Sequence, residues 1–260
     1  MIVGWNIFPW FAAATAVSAV VASLLALRNR RMAALVAASL AVAVLVTFVA
    51  LMWVSLERPP MRTMGETRLW YSLFLLVAGV ATYARWRFRW VLSFSTLLAT
   101  VFMVLNVLRP ELHDKSLMPA LQSAWFVPHV SIYIFSYALL GVAALTAVYV
   151  LVKRDVKPLP AVENLLGGGV ALFTVGMLTG ALWAKQAWGE YWSWDAKEAW
   201  AAATWFIYLG AIHLRLMRPR AVRAFCAVVI VGFLALQMCW YGVNYLPSAA
   251  KSVHSYNRNN

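Results

Sequence analysis

Eight runs of about 20 mostly apolar residues follow one another along the chain, and this pattern restricts the fold more than any other feature. A helix needs about that length to cross the hydrocarbon core of a bilayer, where each backbone polar group has to be bonded within the segment. The sequence therefore predicts an all-α fold, a polytopic integral membrane helix bundle with about eight transmembrane helices in a single domain over residues 1–260. The predicted spans are Phe8–Leu27, Met32–Leu56, Arg68–Ala84, Trp90–Leu108, His129–Val152, Leu165–Ala184, Ala199–Met217 and Ala224–Leu246.

Composition excludes the main classes of soluble protein. Hydrophobic residues make up 63% of the chain and charged residues 12%, whereas a soluble domain is about 45–50% apolar and about 25% charged. A folded soluble chain of 260 residues could not bury that much apolar surface. A soluble enzyme, a nucleic-acid-binding domain and a disordered chain are therefore excluded, although the net charge is +13.

Basic residues in the short connections predict how the helices are oriented. Of the 22 Lys and Arg residues, 13 fall in the connections after the first, third, fifth and seventh spans, and 9 fall on the other side. Cytoplasmic loops are enriched in Lys and Arg, so the first set is predicted to be cytoplasmic and both termini to lie outside. No basic segment precedes the first run, so we interpret it as a retained helix and not as a cleaved signal peptide.

The two cysteines do not predict thiol chemistry. Cys226 and Cys239 lie 13 residues apart in one apolar run, which on a helix separates them by about 20 Å. That distance is far beyond the reach of a disulfide. Both are interpreted as small core or lipid-facing residues.

The stretch 185–198, on the predicted outer side, is unusually rich in aromatic and charged residues. Residues 183–200 hold five of the 14 tryptophans. An aromatic belt at the membrane–water interface would explain some of them. If the stretch is helical, however, Trp188, Trp192 and Asp195 share one face, and such a face suits a large flat ligand. The residues alone favour a cofactor platform and a plain belt about equally.

Three of the four histidines are predicted to lie at the outer side with this stretch. His129 is at the entry of the fifth span, and His254 is in the tail after the last one. Two imidazoles beside an aromatic surface fit a porphyrin with two axial ligands. His113 is treated as the spare, because its loop is expected to be polar and solvated. His213 differs, since it lies inside the seventh span, roughly 20 Å below the outer surface, where an ionisable residue indicates function.

Zinc is the alternative metal for the outer histidines. Asp195 or Glu198 could supply an acidic ligand beside His129 and His254. A third and fourth ligand are not obvious, and no cysteine is predicted nearby, so a tetrahedral zinc site is less favoured.

The stretch Trp188–Glu198 resembles the WWD signature, WGxxWxWDxxE, of the haem-handling proteins of cytochrome c maturation. Within that superfamily the chain resembles the CcsA (ResC) family, the membrane subunit of the System II cytochrome c synthase, in its length and number of spans. The further residues that carry the resemblance are Glu66-Thr67-Arg68, Pro128-His129-Val130, Trp205, Tyr208, His213-Leu214-Arg215 and His254-Ser255-Tyr256.

The resemblance implies a function at a bacterial inner membrane, with the working loops on the periplasmic side. A CcsA-type subunit pairs with CcsB (ResB), carries haem b to the outer face and presents it to the CXXCH motif of apocytochrome c, which thiol-reducing maturation proteins keep reduced. His213 would be an axial ligand of an inner haem, and His129 and His254 would be the axial ligands of the outer one. The residues implied to hold the ring are Trp188, Trp192, Trp194 and Asp195.

Other interpretations remain open. Lys185 and Lys197 could pair with haem propionates or be ordinary loop charges. A CcmC-like delivery protein would hand haem to a chaperone without forming a thioether, but such chains usually have six spans. A di-haem cytochrome b would place paired histidines on facing spans. A solute transporter with an aromatic gate would bind no haem.

Overall fold

The computed structural model describes residues 4–113 and 123–246, which form eight α-helices in two compact units. Unit 1 holds the first four helices and unit 2 the other four. Short 3-10 helices at Pro110–His113 and Gly242–Tyr245 follow the last helix of each unit. The helices are α1 Phe8–Leu27, α2 Arg31–Leu56, α3 Met64–Trp86, α4 Arg89–Leu108, α5 Phe126–Lys153, α6 Leu159–Trp188, α7 Ala196–Met217 and α8 Val222–Trp240.

The predicted all-α membrane fold is confirmed. Six helices are long and apolar enough to cross a bilayer, namely α1, α2, α4, α5, α6 and α8. The other two, α3 and α7, occupy the positions predicted for spans but carry more charged residues near their ends. Large apolar side chains such as Val36, Leu178 and Leu234 are exposed on the helices, as expected where lipid is the solvent.

The helices differ from the predicted spans mainly at their polar ends. α3 begins at Met64 instead of Arg68, and α6 begins at Leu159 instead of Leu165. Hydropathy marks the longest apolar run of a helix, whereas the backbone remains helical through neighbouring turns that contain a charged residue, Glu66 in α3 and Glu163 in α6. The last span is shorter than predicted, because α8 ends at Trp240 and a 3-10 turn follows.

Unit 1 is a closed ring of four helices in which each helix packs against two neighbours. α1 contacts α2 and α4, and α3 contacts the same two helices. Alanines let α1 and α2 approach closely, as small residues do between membrane helices. These alanines belong to a buried cluster that also includes Tyr83 of α3 and Leu92 of α4; its members are Ala22, Ala26, Ala34, Ala38, Tyr83 and Leu92.

The start of α3 is fixed by a buried glutamate. The backbone N–H of Glu66 donates to Thr63 Oγ1 at 3.1 Å, and Glu66 Oε2 accepts from the backbone N–H of Thr63 at 3.2 Å, which forms a capping box. The guanidinium of Arg58 donates to both carboxylate oxygens at 3.0 Å. The Glu66-Thr67-Arg68 segment therefore contributes to the fold at this helix end.

His113 is not in the solvated surroundings that the sequence predicted. Its ring stacks on Trp5 with centroids 3.9 Å apart and an interplanar angle of 1°. Partial burial lowers the pKa of His113 below its usual value, although Asn106 and Glu111 act in the opposite direction. The 3-10 helix Pro110–His113 turns this histidine back onto unit 1.

Unit 2 is also a closed ring, in which α5 contacts α6 and α8 and α7 contacts the same two helices. Polar side chains join neighbouring helices. Ser136 Oγ donates to the Gly169 carbonyl at 2.8 Å, and Trp205 Nε1 donates to Thr174 Oγ1 at 2.9 Å. Cys226 and Cys239 are free and buried, which agrees with the core and not the lipid-facing alternative of the two placements considered from the sequence.

Candidate functional site

His129 lies in the first turn of α5 and is held by the neighbouring helix α6. Its Nδ1 is 2.8 Å from the carbonyl oxygen of Gly176. A carbonyl oxygen only accepts, so Nδ1–H is the donor and the lone pair of the imidazole is on Nε2. A hydrogen bond of this kind fixes the tautomer and the ring direction of a histidine that binds a metal.

The close approach of His129 depends on a glycine in α6. A Cβ atom added at Gly180 would lie 2.7 Å from both Cε1 and Nδ1 of the imidazole. Only glycine leaves room for the ring there. Gly176 and Gly180 are four residues apart, the small-residue spacing that lets membrane helices pack closely. From the sequence alone, this spacing could have indicated that α6 packs closely against a neighbouring helix at the level of His129.

Aromatic rings continue from His129 towards the end of α6. The imidazole stacks on Trp183 with centroids 5.4 Å apart and planes inclined by 24°. Trp183 is buried and also contacts Trp188 edge to face at 4.8 Å. The ring of Phe126 also packs on Trp183, with centroids 5.3 Å apart. The structure thus brings His129 and Trp188, both predicted site residues, to one end of unit 2 through Trp183, which the predicted site lacked.

The condition for a shared face of Trp188, Trp192 and Asp195 is not met, because no helix connects them. α6 ends at Trp188, and Gly189 caps it with a left-handed φ of 87°. The connection therefore covers residues 189–195, and the remainder of the predicted loop 185–198 belongs to the ends of α6 and α7. A helix C-cap in the left-handed region is usually glycine, since other residues are strained there.

Lys185 has a structural contact. Its Nζ donates to the carbonyl oxygen of Gly189 at 2.7 Å and lies 5.3 Å from the centroid of the Tyr191 ring. The side chain thereby holds the first part of the connection against α6. Lys197 is half-buried in the first turn of α7, and its carbonyl oxygen accepts from the Cys239 thiol at 3.5 Å.

Asp195 and Glu198 form the capping box that begins α7. The backbone N–H of Glu198 donates to Asp195 Oδ1 at 2.9 Å. Glu198 Oε2 accepts from the backbone N–H of Ser193 at 2.7 Å, from Ser193 Oγ at 3.1 Å and from the backbone N–H of Asp195 at 3.3 Å. The acidic residues of the signature thus fold the connection onto the helix, as Thr63 and Glu66 do at α3.

The two tryptophans of the connection are placed differently. Trp192 and Trp194 meet edge to face with centroids 5.7 Å apart. Trp194 has a left-handed φ of 57°, and its ring is 69% exposed. The indole N–H of Trp192 is buried, and within residues 4–113 and 123–246 no acceptor lies within hydrogen-bonding distance. A buried donor of this kind is costly unless a ligand satisfies it.

His213 belongs to a different place. It lies near the C-terminal end of α7, roughly 25 Å along the axis from the first turn. Its side chain is exposed, and Nδ1 donates to the Leu209 carbonyl of its own helix at 2.8 Å. His213 and His129 therefore lie towards opposite ends of the helices of unit 2.

Of the other predicted metal ligands, only some lie in the part of the chain that the structure describes. His254 lies outside the described residues. Among those described, no group of three or more His, Cys, Asp and Glu side chains could hold a metal ion. Asp195 and Glu198, the acidic candidates for zinc, are engaged with each other and with the backbone.

Comparison with known proteins places the chain in a family. Residues 61–250 match the family model described as "Cytochrome C assembly protein". The chain belongs to this family. The matched range contains α3 to α8, and therefore His129, the WWD signature and His213.

Curated relatives are named "Cytochrome c biogenesis protein CcsA". The protein of Chlamydomonas reinhardtii is 34% identical over 174 residues, which cover 62% of this chain and 48% of that protein. The protein of Cuscuta exaltata is 29% identical over 244 residues, 78% of each chain. The protein of Synechococcus sp. (strain CC9902) is 33% identical over 178 residues, 54% of this chain and 58% of that protein. The chain thus spans about half of the first relative and less than two thirds of the third.

The family and the fold together make the chain a multi-pass membrane protein of cytochrome c biogenesis of the CcsA type. Haem is the group that cytochrome c assembly handles. The residues at this end of unit 2 fit such a group: His129 with its lone pair on Nε2 beside the rings of Trp183 and Trp188, and in the following connection the buried indole donor of Trp192.

Proposed function

We propose that the chain is the haem-binding membrane subunit of a cytochrome c synthase, which carries haem b to the outer face and presents it to apocytochrome c. The observation that carries this proposal is the hydrogen bond from His129 to Gly176, beside the rings of Trp183 and Trp188. It orients an imidazole at the end of the unit where the WWD signature lies.

His129 would be one axial ligand of the haem iron at this site, and His254 would be the other. Haem bound by two imidazoles has no open position for dioxygen, which helps to keep the iron reduced. The Asp195–Glu198 capping box would position the WWD tryptophans, and Trp192 could donate its indole N–H to an acceptor on the substrate. Lys185 and Lys197, at the same end of unit 2, would pair with the haem propionates.

The synthase reaction adds the two cysteine thiols of a CXXCH motif across the two vinyl groups of haem. Each thiol forms one carbon–sulfur bond, and its proton goes to the other vinyl carbon as the double bond is lost. The addition needs no net oxidant or reductant. The histidine of CXXCH then replaces an axial ligand. We expect that ligand to be His254, because His129 is fixed between two packed helices.

His213 would serve an inner haem together with a second imidazole from a CcsB-type membrane partner. Its side chain is exposed, and its Nδ1–H donates to the Leu209 carbonyl. The lone pair on Nε2 is therefore the one that would bind an iron outside the helix. The separation of His213 from His129 disfavours a di-haem cytochrome b with paired ligands. Of the eight described helices, six are long and apolar enough to cross a bilayer, so the helix count alone does not separate a CcsA-type synthase subunit from a six-span delivery protein.

The first experiment is an absorption spectrum of the protein purified in detergent with its CcsB-type partner. We expect b-type bands of bis-imidazole haem that weaken in His129→Gly and return when imidazole is added. His113→Gly is the matched control, since that ring stacks on Trp5 within unit 1. A wild-type protein without haem under adequate haem supply would overturn the proposal, as would unchanged bands in His129→Gly.

A second experiment separates synthesis from delivery. The purified complex is mixed with apocytochrome c, and haem that stays attached after denaturation is measured. Covalent attachment that disappears when both CXXCH cysteines are replaced by serine supports the synthase. Transfer of haem that is lost on denaturation would favour the delivery function.

A further inference from the structure

Unit 2 contains a concave site at the ends of its helices away from the connection 189–195. It is a cleft of about 510 Å³ between the C-terminal end of α5 and the N-terminal end of α8. Its polar lining is formed by Arg154, Arg220 and Arg223. Neither the resemblance nor the haem chemistry uses any of these residues.

The three arginines present a concentrated positive charge. Their side chains are exposed, and within residues 4–113 and 123–246 no carboxylate forms an ion pair with them. The carboxylate of the adjacent Asp155 accepts from the backbone N–H of Lys157 at 3.0 Å. Guanidinium groups in such a cluster bind phosphate through paired hydrogen bonds.

A nearby arginine shows the contrasting arrangement. Arg215 pairs with Glu163 at 2.5 Å, and it also donates to the carbonyl oxygen of Pro219. Its guanidinium lies 5.9 Å from the ring centroid of Phe225. Arg215 therefore has its charge balanced within the fold, whereas the arginines of the cleft do not.

The beginning of α8 adds to the positive potential. The N-cap residue Ala221 offers no side-chain acceptor, so the first backbone N–H groups of the helix have no side-chain cap. Both Ala221 and the first helical residue, Val222, line the cleft. Unsatisfied amides and the helix dipole favour an anion at such an end.

The other part of the lining is apolar. Val150, Leu151 and Val222 lie beside the arginines. Val156, which also lines the cleft, and the flanking Val152 are exposed. A cleft that is cationic at one side and apolar at the other, at the ends of membrane helices, matches a lipid with a charged headgroup and acyl chains.

We propose that this cleft binds the phosphate of an anionic phospholipid. Arg154, Arg220 and Arg223 hold the headgroup phosphate, and the acyl chains run along the apolar side chains of α5 and α8. The loops concerned carry the basic residues that predict the cytoplasmic side, so the lipid belongs to the inner leaflet. A free phosphate ion shares the headgroup chemistry but does not use the apolar lining.

The test is native mass spectrometry of the full chain, delipidated and then titrated with phosphatidylglycerol, phosphatidylcholine or inorganic phosphate. We expect phosphatidylglycerol to bind the wild type, and to bind the Arg154→Gln, Arg220→Gln, Arg223→Gln variant roughly a hundredfold more weakly. The matched control replaces Lys153, Lys157 and Arg218 with glutamine. These are three cations of the same two loops that do not line the cleft.

Selective loss in the cleft variant, with the control variant unchanged, supports the proposal. Equal loss in both variants would mean that overall charge and not the cleft attracts the lipid, and would overturn it. Equal binding of phosphatidylcholine would overturn it as well. Inorganic phosphate that binds as tightly as the lipid would identify a free phosphate site instead. The folding of each variant is checked by circular dichroism.

Discussion

The imidazole of His129 donates its Nδ1–H to the carbonyl oxygen of Gly176 at 2.8 Å, across the contact between α5 and α6. The donor and acceptor are 47 residues apart in the chain. The direction of this ring is therefore set by helix packing and not by the local sequence. Substitutions in α6 should therefore alter what the imidazole can bind, although they leave His129 itself unchanged.

The first prediction uses the space beside this ring. In Gly180→Ala the new methyl group would lie 2.7 Å from the imidazole, so the ring has to move and its hydrogen bond to Gly176 is lost. We expect haem binding to weaken roughly tenfold, the effect of losing the orienting partner of a metal ligand. Bound haem per protein, measured by absorption of the purified complex, checks this.

Gly167→Ala is the matched control for that change. It makes the same substitution in the same helix, but at a position with no neighbouring atom within 4 Å. It should bind haem as the wild type does. Equal haem in the Gly180 and Gly167 variants would mean that His129 is not a ligand or that α6 does not position it.

The second prediction distinguishes two roles of Asp195. If Asp195 acts by capping α7, the Asp195→Asn variant should still bind haem, because asparagine caps helices as well as aspartate does. Asp195→Ala should lower the free energy of unfolding by about 1 kcal/mol and loosen the WWD connection. Haem content and thermal stability of the two variants are measured side by side. Loss of haem in the stable Asn variant would assign the carboxylate a direct role towards the ligand.

The third prediction concerns the buried ion pair at the start of α3. Removing the carboxylate in Glu66→Ala leaves the guanidinium of Arg58 without its carboxylate partner. It also leaves the backbone N–H of Thr63 without its acceptor. We expect a loss of about 3–5 kcal/mol in the free energy of unfolding, as when one partner of a buried pair is removed. Thr63→Ala, which removes only the cap acceptor, should cost about 1 kcal/mol. Equal losses measured by thermal unfolding would contradict this assignment.

The fourth prediction is a pH dependence due to His113. Burial lowers the pKa of this histidine in the folded protein, so the unfolded chain binds its proton more readily. The free energy of unfolding should therefore fall as the pH drops below about 6.5, the ordinary pKa of histidine. Melting temperatures across this range should change less in His113→Phe, which keeps the ring contact with Trp5. An identical pH profile in both proteins would show that other groups are responsible.

Hydropathy predicted the helix positions because a membrane helix consists of about 20 consecutive, mostly apolar residues. The ends of α1, α2 and α4 at Leu27, Leu56 and Leu108 agree with the predicted spans. It missed the first turns of α3 and α6, which hold Glu66 and Pro160. α3 begins with a capping box, whereas α6 begins with a proline in its first turn and no side-chain cap.

The site was predictable in its residue types and not in its contacts. The sequence indicates that His129 and the WWD signature lie on one side of the membrane. It did not reveal that Trp183 lies between them, or that Asp195 caps a helix. Both depend on where α6 ends, which the left-handed Gly189 decides.

The ring of four helices in each unit has a consequence for biogenesis. α1 finds its main neighbours in α2 and α4, so all the principal packing partners of the first unit have been synthesised by residue 108. The ribosome can release this half into the bilayer as a finished module before α5 appears. The second half can then assemble in the same way. The insertion machinery would thus have to shelter only one incomplete ring at a time.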